Sequence, residues 1–450
     1  MGGRFTKGLI LSLVLAFSIA ISGCAGGKPI AAPSPSLVSP SGTTPMLPTL
    51  VPSPISSVTA NIQLDELRAL FDKAASTRKL SIRSEVQQSL IRPEQVRAYL
   101  QQDLEKENDP AQRESDQALY VLLDQINEGQ DLSEITLDLL SGQVAGFYRD
   151  DTKELFVVAN AGQVGELEKV TLIHEYVHAL QDQNFGLKAM KDKAKEKGNG
   201  DQQRALQALY EGDATLAMSQ YILQSMTPAQ MQALMKQAGG IDSSKLQSAP
   251  WMLQVSMLFP YQQGANFVAS LQKEGGWPAV DKAYAQPPVS TEQILHPSKY
   301  QAGEKPQDVP LPDLVSGLGA DWTEVDDDVL GELEIMAYLS QYAGADVASR
   351  AAEGWGGDHY AVLRQKDGGY AVAILTKWDS PKDATEFFDA YPVYMKGAGR
   401  TTLVQDQPPR RLWISAKRGV VESIHDDEVL LVIAGDEATS QRIAAQFVGF

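Results

Sequence analysis

Two histidines and a glutamate near the middle of the chain form a group that could hold a metal ion. The segment His174-Glu175-Tyr176-Val177-His178 places the two histidines four residues apart. If this segment is helical, positions i and i+4 lie one above the other on the same face, so both imidazoles can bind one metal ion. Glu175 then projects beside the metal, where a carboxylate can take a proton from an activated water molecule. The chain has five histidines in 450 residues, so this spacing rarely arises by chance. The alternative is a pair of core-facing histidines on an amphipathic helix.

The residues around this motif predict the helix that would position it. Apolar side chains recur at spacings of three and four, which gives a helix one buried stripe. The stripe consists of Leu167, Val170, Ile173, Val177 and Leu180. Asn160 and Gly162 before it and Asn184 and Gly186 after it are typical of helix ends. We therefore expect the three motif side chains at the edge of the core, facing a cleft.

A catalytic zinc needs a third protein ligand and one open position. A third histidine six residues after the second is excluded, because that position is Asn184. The other known arrangement takes a glutamate from the next helix, and Glu211 fits it because the small residues Ala208, Gly212 and Ala214 surround it. Asp213 and Asp182 are weaker candidates. Asp182 lies one turn beyond His178 and could orient its imidazole. A solvent-facing Glu211 remains the alternative.

Hydrolysis also needs a donor that stabilises the developing oxyanion. Ser290 and Gln293 have the spacing of a capping box, which predicts a short helix that Pro297 ends. His296 would then be held rigidly at the end of this helix, and we expect it to act at the site. The alternative is a histidine favoured only by its place near a helix C-terminus. The further candidates are Tyr300, Tyr261 and Tyr148.

A predicted hairpin precedes the motif helix. Residues 144–148 and 154–158 have the composition of strands, and residues 150–153 have that of a turn. An exposed edge strand would offer unpaired backbone groups to an extended peptide. Equally, both strands could lie in the interior of a sheet.

The N-terminus has the composition of a bacterial lipoprotein leader. Arg4 and Lys7 precede an apolar stretch that is short for a membrane span, and Cys24 follows Ser22 and Gly23. Cys24 is the only cysteine, so an internal disulfide is excluded and lipid modification is its natural role. We expect a signal peptide at residues 1–23 and a lipid anchor on the extracytoplasmic side of the cell membrane. An ordinary secretory signal or a marginal anchor helix is the alternative.

Composition divides the remaining chain into four parts. Residues 24–58 are rich in proline and serine and predict an extended tether. Residues 59–140 predict an all-helical region with no recognisable chemistry, residues 141–324 a catalytic domain, and residues 325–450 a compact α+β domain. In the last of these, residues 329–351 predict one helix. The net charge of −18 excludes nucleic acid as a favoured partner.

The motif and the downstream helix together resemble a known enzyme group. His174-Glu175-Tyr176-Val177-His178 with a later helical glutamate resembles the gluzincin zinc metallopeptidases. Residues 174–185 and 208–214 resemble a set of bacterial secreted or lipoprotein HExxH proteins. This resemblance covers roughly residues 143–300. It implies a mostly helical zincin-like core with a small sheet, an α+β fold overall, and one Zn²⁺ held by His174, His178 and Glu211. Two departures are the long gap before Glu211 and the threonine at position 215.

The sequence thus predicts a lipid-anchored zinc metallopeptidase in which Glu175 is the general base and a peptide or protein is the substrate. The alternative is a non-catalytic binding or assembly lipoprotein on the same scaffold, in which zinc is structural. A third hypothesis is that the helical region at residues 59–140 gates a competent site.

Overall fold

The computed structural model describes residues 13–15, 64–107, 110–158 and 164–450. Cys24, the predicted tether and the predicted leader lie outside the described residues, apart from one short strand, Leu13–Leu15. Within these described residues, no helix has both the length and the apolar character needed to cross a membrane.

Helices dominate the first part of the described chain, and strands alternate with helices in the last third, so the predicted α+β class is confirmed. The helices are α1 Leu64–Arg78, α2 Pro93–Glu107, α3 Pro110–Leu122, α4 Leu132–Gln143, α5 Glu166–Phe185, α6 Leu187–Glu196, α7 Gly200–Ser225, α8 Pro228–Ala238, α9 Ser244–Ser248, α10 Trp251–Gly275, α11 Trp277–Ala285, α12 Thr291–Leu295, α13 Pro297–Ala302, α14 Leu314–Leu318, α15 Gly331–Ala343, α16 Ala345–Ala352, α17 Pro381–Ala398 and α18 Glu437–Ala444. The strands are β1 Leu13–Leu15, β2 Gln87–Ile91, β3 Val144–Arg149, β4 Glu154–Val158, β5 Trp322–Asp328, β6 Trp355–Gln365, β7 Tyr370–Trp378, β8 Thr402–Gln407, β9 Arg410–Ser415, β10 Arg418–His425 and β11 Glu428–Ala434.

The predicted hairpin is the centre of a four-stranded sheet with the order β1-β3-β4-β2. Strands β3 and β4 are antiparallel, with Phe147 opposite Phe156. Strand β1 pairs antiparallel with the outer edge of β3, and β2 pairs parallel with β4. Both hairpin strands therefore have neighbours on both sides. The all-helical prediction for residues 59–140 is wrong at β2, because Gln87–Ile91 gains a hydrogen-bonding partner in β4 that local sequence does not show.

One face of this sheet covers α5, and α5 packs against α7. Helix α10 crosses α7 so closely that the backbones nearly touch at Gly212 and Gly264. A Cβ atom added at Gly212 would lie 2.7 Å from the Ala265 nitrogen and closer still to the Gly264 carbonyl. Small residues are required at such a crossing, because any side chain would push the two helices apart.

The last third forms a seven-stranded antiparallel sheet with the order β5-β6-β7-β11-β10-β9-β8. Alternate residues of its strands pack against α15, α16 and α17 on one face and against α14 and α18 on the other. Trp355, Trp378 and Trp413 are buried in the first of these cores. The single helix predicted for residues 329–351 is wrong, since Gly344 adopts a φ of 86° and divides it into α15 and α16.

The two halves of the molecule meet where α7, α12 and α15 begin. Asp201 is buried and accepts hydrogen bonds from the Thr291 backbone nitrogen at 3.1 Å and from its hydroxyl at 2.6 Å. The Thr291 hydroxyl oxygen in turn accepts from the Leu333 nitrogen at 3.2 Å. Gly331, with a φ of 77°, lies so close to Asp201 that a Cβ there would be 2.9 Å from the Asp201 Cβ. Leu333 is buried in the same core as α5 and α7, so α15 belongs to both halves.

Candidate metal centre

Helix α5 presents the HExxH motif from the middle of its length. It ends at Gly186, whose φ of 72° and ψ of 49° give the left-handed C-cap that glycine favours. The rings of His174 and His178 lie on one face with their centroids 4.7 Å apart. Both rings and the Glu175 side chain are wholly buried. The site therefore lies inside the core, and the expectation of an open cleft at its edge is wrong for this structure.

Helix α7 brings Glu211 to the two histidines. The carboxylate atom Oε2 lies 3.1 Å from His174 Nε2 and 3.3 Å from His178 Nε2. The two Nε2 atoms are 3.0 Å apart. The close crossing of α7 and α10 at Gly212, the residue after Glu211, fixes the position of this carboxylate in a wholly buried environment.

These three atoms have the spacing that a tetrahedral metal ion requires. Ligand atoms at the ~2.0–2.1 Å of zinc–nitrogen and zinc–oxygen bonds lie about 3.3 Å apart at the corners of a tetrahedron. His174, His178 and Glu211 thus form a buried group that could bind a metal ion. Among the described residues, Glu211 Oε1 has no hydrogen-bond partner, and a buried carboxylate oxygen is costly unless a donor or a cation satisfies it.

The protonation of the group also suits a cation. Burial lowers the pKa of His174 to about 4, so its imidazole is neutral at physiological pH. Burial opposes ionisation of Glu211, but His178 and His174 outweigh it and lower the pKa of this carboxyl to about 2. Burial likewise opposes protonation of His178, but the Glu211 carboxylate outweighs it and raises the pKa. The group therefore carries an anionic oxygen at neutral pH, as divalent cations require.

Glu175 lies between the metal group and the sheet. A Cβ atom added at Gly146 of β3 would lie 3.6 Å from Glu175 Cγ and 2.9 Å from Thr171 Cγ2. Strand β3 thus passes directly over the turn of α5 that carries Glu175. Although burial opposes it, the Glu211 carboxylate and, to a smaller extent, the charge of Glu175 raise the pKa of His178.

Several of the other residues that the sequence singles out contact groups outside the three-ligand group. His296 Nε2 lies 2.9 Å from Glu332 Oε1 on α15, and His296 is not part of the three-ligand group. The predicted short helix is confirmed as α12, which is capped by Ser290 and has His296 as its C-cap, and Pro297 begins the separate helix α13. The Tyr148 hydroxyl donates to Asp182 at 3.1 Å, and that of Tyr300 donates to the Gln286 carbonyl oxygen at 2.9 Å.

Tyr261 is the tyrosine candidate that the structure places beside the ligands. Its ring, on α10, lies 6.2 Å from that of His174 and is buried. Asp182, the predicted orienting residue, contacts Tyr148 and Lys153. The residue that contacts the ring instead is Gln181, whose Oε1 lies 2.9 Å from His178 Nδ1. The sequence gives no separate signal for Gln181, because the residues that follow it, Asp182, Gln183 and Asn184, are polar as well.

A second acidic group, Glu292, Glu304 and Asp379, also has metal-like spacing. Here the ammonium of Lys299 already supplies the cation, at 2.6 Å from Glu292, 2.7 Å from Glu304 and 2.7 Å from Asp379. This cluster is therefore a link between α12, α13 and the end of β7.

The match found among the comparisons with known proteins lies in the last third of the chain. The family model described as "Domain of unknown function (DUF8575)" matches residues 319–444, which hold the seven-stranded sheet. No curated protein and no solved structure matches the chain. The interpretation of the metal group therefore depends on the residues of this chain.

Proposed function

We propose that the chain is a zinc-dependent metallopeptidase. The observation that carries the proposal is the convergence of His174 Nε2, His178 Nε2 and Glu211 Oε2 at 3.0–3.3 Å, beside the carboxylate of Glu175. Two imidazoles and one carboxylate are a ligand set that suits zinc and leaves one position open. A structural zinc site normally has four protein ligands and has no use for a further carboxylate next to them.

When bound, zinc supplies Lewis-acid activation of a water molecule and of the scissile carbonyl. Glu175 accepts the proton of that water and delivers it to the leaving amine. Its burial places this proton transfer in a low-dielectric environment, which strengthens every charge interaction at the site. Tyr261, from its position beside His174, or His296, as the sequence predicts, would donate to the oxyanion.

The outer edge of β3 suits an extended peptide as substrate. In the structure this edge is occupied by Leu13–Leu15, with Leu13 opposite Phe147 and Leu15 opposite Val144. The pairing spans Gly146, the residue of β3 that lies against the Glu175 turn. A substrate segment would pair in the same antiparallel manner, with its backbone next to the reacting groups. The proposed leader includes Leu13–Leu15, so removal of the leader would free this edge.

The proposed location is the extracytoplasmic face of the cell membrane, with Cys24 carrying a lipid. The support is the leader composition and the single cysteine. The proline-rich tether that follows would hold the folded body away from the membrane.

The complete burial of His174, Glu175, His178 and Glu211 favours a second candidate. In it the protein is a non-catalytic binding or assembly lipoprotein, and zinc stabilises the fold. A catalytic site must admit substrate, so the peptidase proposal requires an opening near α10 or at the β3 edge.

The test is cleavage of a complex peptide library by the full zinc-loaded chain, purified in mild detergent and followed by mass spectrometry. Glu175→Gln keeps the shape of the side chain and removes the base, and His178→Ala removes a ligand. We expect the native protein alone to cleave, with equal zinc content in the native protein and Glu175→Gln. Equal cleavage by native protein and Glu175→Gln would contradict the mechanism. Silence from both, with zinc bound, would favour the second candidate.

A further inference from the structure

A continuous chain of buried side chains runs from His178 to helix α1 at the far side of α7. His178 contacts Gln181, Gln181 contacts Asp213, and Asp213 contacts Arg78. Arg78 lies 135 residues from Asp213 in the sequence. The side chains of Arg78 and Asp213 are both wholly buried. A metal ligand is thereby joined to a part of the chain in which the sequence shows no chemistry.

The orientation of the Gln181 amide determines the tautomer of His178. Gln181 Nε2 donates to the Tyr210 carbonyl oxygen at 2.9 Å and to Asp213 Oδ2 at 3.0 Å. Both partners are acceptors, so the amide nitrogen must face them and Oε1 must face His178. His178 therefore carries its proton on Nδ1, and its Nε2 lone pair points to the metal group.

Asp213 is held in place by groups that do not touch the metal. The Tyr284 hydroxyl donates to Asp213 Oδ2 at 2.7 Å, and Arg78 Nε donates to Oδ1. The Arg78 guanidinium also donates to Asp281 Oδ1 at 2.8 Å and lies 4.3 Å from the centre of the Trp277 ring. The planar fork of arginine satisfies two carboxylates in a fixed geometry, which the point charge of lysine cannot reproduce.

We propose that Gln181, Asp213 and Arg78 are positioning residues of the metal centre, and that α1 is part of its support. The inference rests on the proposed metal site and is independent of peptidase activity. It also opposes the hypothesis that the helical region at residues 59–140 gates a competent site, because loss of α1 would release Asp213 and Gln181.

The experiment measures zinc affinity by competition with a chromophoric chelator, and the visible absorption bands of the Co²⁺-substituted full chain. Gln181→Met removes the acceptor for His178 Nδ1 with little change in volume. Arg78→Lys keeps the positive charge and removes the planar guanidinium that contacts two carboxylates. This variant tests the inference if Gln181→Met does not fold. Loss of an outer partner of a histidine ligand typically weakens metal affinity about 10–100-fold, which we expect for Gln181→Met together with altered Co²⁺ bands. We expect a smaller loss, of a few-fold, for Arg78→Lys.

The matched control is Glu422→Leu, which removes the acceptor from another buried arginine pair, Arg411 with Glu422 in the C-terminal sheet. It should lower the unfolding temperature without changing zinc affinity or the Co²⁺ bands. Folded Gln181→Met and Arg78→Lys proteins with native affinity and native bands would overturn the inference and leave the proposed function standing. A native protein that fails to bind zinc would overturn both.

Discussion

Replacement of Gly212 by alanine should separate α7 from α10 and move the Glu211 carboxylate. The added Cβ would lie 2.7 Å from the Ala265 nitrogen, whereas ordinary van der Waals contact begins at 3.4 Å. The atoms on both sides belong to helix backbones, so no flexible side chain can yield. The helices must therefore move apart locally by at least about 0.7 Å, and by more at the Gly264 carbonyl.

Two opposing effects determine the change in the free energy of unfolding. Overpacking of this kind lowers the free energy of unfolding by about 1–3 kcal/mol or more. We expect a value at the upper end of this range, because the contacting atoms belong to rigid helix backbones. Alanine in a helix interior recovers about 1 kcal/mol relative to glycine. We expect the free energy of unfolding to fall by about 2 kcal/mol. For a domain of about 150–250 residues, this corresponds to a fall of about 4–8 °C in unfolding temperature. A metal site tolerates ligand displacements of only about 0.2 Å, so zinc affinity should fall at least tenfold.

Differential scanning calorimetry and chelator competition would measure the two effects. The control is Gly142→Ala in α4, an exposed helical glycine whose added Cβ would meet only the Lys245 side chain, at 3.4 Å. That variant should be as stable as the native protein or more stable by about 0.5–1 kcal/mol. Native stability and native zinc affinity in Gly212→Ala would refute the argument that this crossing positions the ligand.

Three further predictions concern pH, the lysine link and the oxyanion donor. Burial raises the pKa of Asp201 to about 8, so its neutral form stabilises the fold below pH ~4, and that contribution is lost as the pH rises through about 8. Asp201→Asn should therefore flatten the decline of unfolding free energy between pH 5 and 9 in urea titrations, and an unchanged slope would contradict the raised pKa. Lys299→Met should lower the unfolding free energy by about 1–2 kcal/mol, because three carboxylates then face one another at a partly exposed site. The exposed pair of Lys366 should contribute almost nothing, so Lys366→Met is the control. If the proposed peptidase activity is found, Tyr261→Phe should lower kcat about 100-fold with zinc retained, and His296→Ala should lower it less. The reverse order would identify His296 as the donor.

Sequence patterns within single helices were sufficient to predict the three candidate metal ligands. The i, i+4 spacing of His174 and His178 requires only a helix, and the small residues around Glu211 predict close approach of a second helix. The structure brings these three residues together. The Gly186 C-cap and the hairpin follow from equally local signals, glycine with positive φ and alternating apolar residues.

The features that the sequence did not predict depend on distant partners. Arg78 is one basic residue at the end of an amphipathic helix until Asp213 and Asp281 are folded against it. Strand β2 begins with three polar residues, Gln87, Gln88 and Ser89, and forms because β4 offers an edge for parallel pairing. The division of α15 from α16 had a visible signal in Gly344, which the helical periodicity on both sides outweighed.

The contact of Gly331 with Asp201 determines whether the C-terminal segment can be joined to a different N-terminal part. The segment matching the family of unknown function begins at residue 319, yet the first turn of α15 within it is built around Asp201 and Thr291. Leu333 would leave a core and enter water if residues 319–444 were transplanted alone. A natural or engineered chimaera joined near residue 319 therefore needs an N-terminal part with helices that correspond to α7 and α12. Those helices must offer residues that pack against α15 as Asp201 and Thr291 do. The last third of this chain is a recognisable unit of sequence without being a portable unit of folding.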